Sequence, residues 1–207
     1  MKDGSYFTPQ KDTQAKLHVI ENGKQLPFLI ADSPIAKRCL ALARIENELA
    51  QAVKFTRMID KNQNGHVNLA FWHAAIMSYG RCFSNSWGRG TTLEKGHVEQ
   101  AGSSFVAIHD DIMDLRNQYV AHAGNHTQEI DRIAVSLKGS PAPKGVNNTY
   151  YFLISQMGPK TESREPLVDL CNALILVVVD IRISSENRLL EDYRNKDLDE
   201  LYRNAYS

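Results

Sequence analysis

Apolar residues recur every three or four positions in four separate stretches of this chain. That pattern is its strongest constraint, because only helices packed side by side bury such stripes. The stripes are Ile35, Leu42, Ile45, Leu49 and Val53; Leu69, Trp72, Ile76, Tyr79 and Phe83; Phe105, Ile108, Ile112, Leu115 and Tyr119; and Leu167, Leu170, Leu174, Val178 and Ile181. Local signals bound each one. Ser33-Pro34 supplies a cap and a first-turn proline for the first helix, which is expected to end near Asn64-Gly65. The second spans residues 68–84 and is broken by Gly88 and Gly90, and the third opens at Ser103 or Ser104 and closes at Gly124. The fourth contains a β-branched run, residues 175–179, but Pro166 near its start and the length of its stripe favour a helix running past Asn187. Residues 197–206, with their acids first, read as a short terminal helix.

Two shorter patterns alternate instead. Strand-like residues 16–20 and 25–30 flank Asn22-Gly23, a pair that tolerates the positive φ of a tight hairpin turn. Ile133, Val135 and Leu137, then Tyr150, Phe152 and Ile154, alternate on either side of a turn-rich segment, residues 139–148. The expected fold is therefore mainly α. Four main helices carry a hairpin (128–157) inserted between the third and fourth and a small N-terminal hairpin extension (1–32), as one domain over 1–207.

Composition narrows the function classes. The formal net charge is zero, so any attraction to a polyanion must come from a local basic cluster. Cys39, Cys82 and Cys171 lie far apart among apolar neighbours, without a CxxC pair, which points to core thiols in a reduced, cytoplasmic setting. Residues 1–14 are polar and the longest apolar run, 173–179, is short, so neither an export signal nor a membrane segment is expected.

Chemistry concentrates at the end of the third stripe, in Leu115-Arg116-Asn117-Gln118-Tyr119-Val120-Ala121-His122. Arginine keeps its charge and can hold a phosphate through two parallel hydrogen bonds, and histidine exchanges a proton near neutrality. On an unbroken helix, Arg116 and His122 stand roughly 9 Å apart along the axis and about 120° apart around it, so one rigid helix does not aim both at one phosphate. The helix unwinds before His122, the arginine curls along the surface, or a two-fold dimer brings two copies of the pair into one cleft. The third solution is the expected one. The bland readings are a histidine stabilised by a helix C-terminus and an arginine paired with a carboxylate such as Asp110 or Asp114.

The words Arg116-Asn117, four residues, then His122, at the end of a bundle helix, resemble the HEPN superfamily of small helical-bundle proteins. Phe71-Trp72-His73-Ala74-Ala75 and Tyr79-Gly80-Arg81-Cys82-Phe83 look like the second helix of its defence-associated branch, and the likeness covers residues 34–190. The resemblance implies a four-helix up-down bundle and a homodimer with a composite active site. It also implies a metal-independent endoribonuclease, without cofactor, acting in phage defence or as a toxin. His122 would act as general base on a ribose 2′-hydroxyl, Arg116 would stabilise the phosphate charge, and Asn117 would orient either. Members paired with a nucleotidyltransferase antitoxin carry a tyrosine two residues after the histidine. Gly124 stands there in this chain, so that form of control does not carry over.

Arg81, Arg89 and Tyr119 are the candidate RNA-binding residues, Arg89 beside Trp87 offering charge and a stacking surface. Lys138, Lys144 and Tyr150 are weaker candidates. His122 and His126 have ligand spacing on a helix, but Gly124 should end it between them, so no metal site is expected. His109, seven residues before Arg116, either joins the cleft or packs at its edge, with packing favoured. An antitoxin or other inhibitor protein is a possible partner. The alternative function is a catalytically silent HEPN module that binds RNA, nucleotide or a protein.

Overall fold

A computed structural model of the chain describes residues 5–8, 16–84, 90–117, 129–137, 146–155 and 164–206. Its described part is mainly helical and divides into two compact units, one formed by residues 1–39 and 183–207 and the other by residues 40–182.

In the first unit the Asn22-Gly23 turn is present, with φ of 52° and 72°, and it joins β2 (Lys16–Glu21) to β3 (Lys24–Gln25). Positive φ at both central residues matches the right-handed twist of the paired strands, and glycine and asparagine adopt it most readily. A strand not expected from sequence, β1 (Ser5–Thr8), pairs antiparallel with β2, giving the order β1-β2-β3. β3 is shorter than expected. Phe28 instead exchanges two backbone hydrogen bonds with Tyr206, at 3.0 and 2.8 Å, their rings stacked 5.5 Å apart. The terminal helix α6 (Leu198–Arg203) is capped by Asp197, which accepts from the N–H groups of Asp199 and Glu200. Its acidic first turn is the one the sequence predicts.

Two long helices, α1 (Pro34–Arg57) and α5 (Arg164–Arg194), contribute to both units. Ser33 caps α1 by accepting from Ala36 N–H, as its place before Pro34 predicts. Pro166 sits in the first turn of α5, where a missing N–H leaves no bond unmade.

The core of the second unit is built from the four predicted stripes. Leu42, Ile45, Leu49 and Val53 of α1 pack with Trp72, Ile76 and Tyr79 of α2 (Gly65–Cys82). Ile112 and Leu115 of α4 (Phe105–Leu115) join them, with Leu167, Leu170, Leu174 and Val178 of α5. Burying one such aliphatic side chain stabilises by about 1.5–3 kcal/mol, so this cluster dominates the fold's energetics. Cys39, Cys82 and Cys171 are buried, and among the described residues none forms a disulfide.

α1 ends earlier and α2 starts earlier than their stripes suggest. The connection closes through Asn68, whose amide donates to Asp60 C=O at 2.7 Å and accepts from Asp60 N–H at 3.1 Å. Sequence periodicity also passes over α3 (Lys95–Ala101), about two turns long and mostly polar. The inserted hairpin is present as β4 (Glu129–Leu137) and β5 (Val146–Ser155), in register Ile133 opposite Tyr151, with a bulge between Ser136 and Leu137. Among the described residues no helix is long and apolar enough to cross a membrane.

Candidate active site at the end of α4

The end of α2 and the turn after it face α4 with pairs of residues four apart, Tyr79 with Phe83 and Gly80 with Ser84. Tyr79 and Phe83 hold His109. Tyr79 Oη and His109 Nδ1 are 2.7 Å apart, and the imidazole lies 4.5 Å from the Phe83 ring and 5.9 Å from the Tyr79 ring, centroid to centroid. Burial pushes the phenol pKa upward and the imidazole pKa below its ordinary value; nearby Asp110 opposes the latter shift and Lys95 adds to it. A protonated phenol beside a neutral imidazole assigns the bond as Tyr79 donating to Nδ1, with the ring proton on Nε2. His109 is thus a packed, satisfied core histidine, as favoured from sequence.

Gly80 and Ser84 hold Arg116. Arg116 caps α4 in α conformation, φ −60° and ψ −46°, its N–H shared between Ile112 and Met113 C=O, and Arg116 and Asn117 fall in a π-type turn, a distortion frequent at functional sites. The half-buried Arg116 side chain lies along α2 so closely that a Cβ at position 80 would sit 3.0 Å from its Cγ and 3.2 Å from its Cδ and Nε. Its Nη1 donates to Asn117 Oδ1 at 2.7 Å, and its Nη2 donates to Ser84 Oγ at 3.2 Å. Ser84 Oγ in turn donates to Gly80 C=O at 2.8 Å. Among the described residues Arg116 Nε is buried without a hydrogen-bond partner.

These neutral acceptors are the informative part. Among the described residues no carboxylate pairs with Arg116, and Asp110 is taken by Lys95 at 2.7 Å. The neighbouring cation behaves differently, since Arg81 pairs with Glu48 of α1 at 3.5 Å. Asn117 touches Arg116 and is otherwise exposed.

His122, Tyr119 and Arg89 lie outside the described residues, as do Trp87, Gly124, His126, Lys138 and Lys144. Sequence reasoning missed Gly80 and Ser84. The available signal was an isolated glycine inside a helical stripe, which has a packing or functional reason when it is kept. Among the described residues no group of three His, Cys, Asp or Glu side chains is placed to hold a metal ion. Comparison of the chain with protein-family models, curated proteins and solved structures finds no match.

Proposed function

We propose that the chain is a metal-independent endoribonuclease of HEPN type, a four-helix up-down bundle that acts as a cytoplasmic homodimer in phage defence or as a toxin. One observation supports the reading: Arg116 is held in place at a helix end by neutral acceptors, and among the described residues no carboxylate pairs with it. A guanidinium in that condition is suited to a phosphate.

In this reading His122 takes the proton of a ribose 2′-hydroxyl, and the 2′-oxygen attacks the adjacent phosphorus. Arg116 meets the charge that develops on the phosphate oxygens. His122 of the second copy in the dimer gives a proton to the departing 5′-oxygen, leaving a cyclic phosphate and a 5′-hydroxyl. Each proton is accounted for by a histidine, so the chain's own residues suffice for the step.

The test is cleavage of labelled RNA in EDTA. Arg116→Ala should lower kcat by about 10²- to 10³-fold, the scale for losing a preorganised donor. His122→Ala should lower it by about 10²- to 10⁴-fold, the scale for positioned proton transfer. RNA retained by the wild-type chain but never cut would remove the nuclease reading in favour of a silent binding module.

A further inference from the structure

The geometry points to Gly80 of α2 and Ser84, in the turn that follows α2, as positioning residues for Arg116, which together set the plane and direction of its guanidinium. Their role in cleavage rests on the reading that Arg116 binds the reacting phosphate; their grip on the side chain does not.

Glycine is a poor choice inside a helix, and α2 carries one at the place where the arginine stem lies across it. A methyl group there would meet Cγ at 3.0 Å and Cδ and Nε at 3.2 Å, tighter than an ordinary contact, so the stem must shift by a few tenths of an ångström. Ser84 acts on the other end of the side chain. Its hydroxyl proton is committed to Gly80 C=O at 2.8 Å, which leaves an oxygen lone pair for Arg116 Nη2 at 3.2 Å. Asn117 holds Nη1 at 2.7 Å, so rotation about the Cδ–Nε bond would break both contacts at once. Each terminal nitrogen keeps a second N–H, a pair matched in spacing to two oxygens of one phosphate. Nε, buried over Gly80 with no partner among the described residues, marks how tightly the stem is pressed against α2.

Gly80→Ala and Ser84→Ala test this. The alanine at 80 suits a helix better than glycine and displaces only a flexible side chain, so the variant folds. The 15N-edited Nε–H signal of Arg116, identified by its loss in Arg116→Lys, should exchange slowly with solvent in the wild type. In both variants its exchange should quicken by about tenfold or more, as expected for a group released from a buried place. RNA cleavage by both should show kcat reduced roughly 10- to 100-fold with KM little changed, the cost of a misplaced catalytic group. Ser84→Thr, which keeps the hydroxyl, should restore most of the rate. Unaltered exchange in both variants overturns the inference, and so does wild-type kcat in variants whose Arg116 has been released. Released Arg116 in the variants, with a wild-type chain that cuts no RNA, upholds the positioning and refutes the nuclease.

Discussion

Removing one oxygen atom, in Tyr79→Phe, tests how the α2–α4 contact is held together. Tyr79 is 0% and His109 is 7% exposed, so neither side of their 2.7 Å hydrogen bond has water to replace the other. Phenylalanine keeps the ring against Phe83, 5.0 Å away, and against the imidazole, so the packing contribution is little altered. What is lost is the donor to Nδ1. A buried acceptor left without a partner costs about 1–3 kcal/mol, against nearly nothing when both partners are removed together. For a chain of this length each kcal/mol moves Tm by roughly 2–4 °C, so the expected fall is about 4–8 °C for a loss near 2 kcal/mol. Urea denaturation followed by circular dichroism measures the free energy, and the double variant Tyr79→Phe/His109→Leu completes a cycle. The double variant should cost less than the sum of the singles by about 1 kcal/mol or more. A Tyr79→Phe loss below about 0.5 kcal/mol, or strict additivity, would refute the claim that this bond is a structural tie.

Folding is also expected to depend on pH through His109. Burial lowers its folded pKa below the ordinary 6.5, so under acid the unfolded chain takes up a proton that the folded chain resists. Stability should fall as pH drops below 6.5 and level off only below the folded value. Urea midpoints at neutral and mildly acidic pH, compared with those of His109→Gln, isolate this contribution; equal slopes for the two proteins would count against it. Leu174→Ala empties a position with 0% exposure at the centre of α5's stripe, and denaturation should show a loss of about 2–5 kcal/mol. A loss under about 1 kcal/mol would mean that α5 does not close the core as described.

Much of this architecture can be read from residue spacing. The stripes of α1, α2, α4 and α5 name the core nearly residue by residue, because burial selects apolar side chains at the helical period. Asn22-Gly23 and Asp197 announce a turn and a cap through chemistry confined to two or three residues. Other features depend on contacts between residues distant in sequence, and local patterns are silent about those. β1 exists because β2 offers it an edge, and β3 gives way where Phe28 pairs with Tyr206 instead. α3 is too short for a stripe, and its start is tied by His97 Nδ1 accepting from Glu94 N–H, a histidine where the usual signature has glutamate or glutamine. Of the candidate site, Arg116 was legible as a cation on the margin of a seam. Its acceptors were not, since Ser84 lies 32 residues away and acquires meaning only when two helices are laid together.

Gly80 turns stability and orientation into competing demands at a single position. A search for more stable versions of this chain, by consensus or by helix propensity, would choose it early for replacement by alanine, and by the ordinary rules such a choice gains stability. The arginine pressed against it would be the casualty. Tolerance of helix-breaking glycine at that turn of α2 is therefore a signature to look for in variants of this chain: where position 80 gains a side chain, the arginine at 116 loses its seat, and selection that acts through the site should keep the weaker helix.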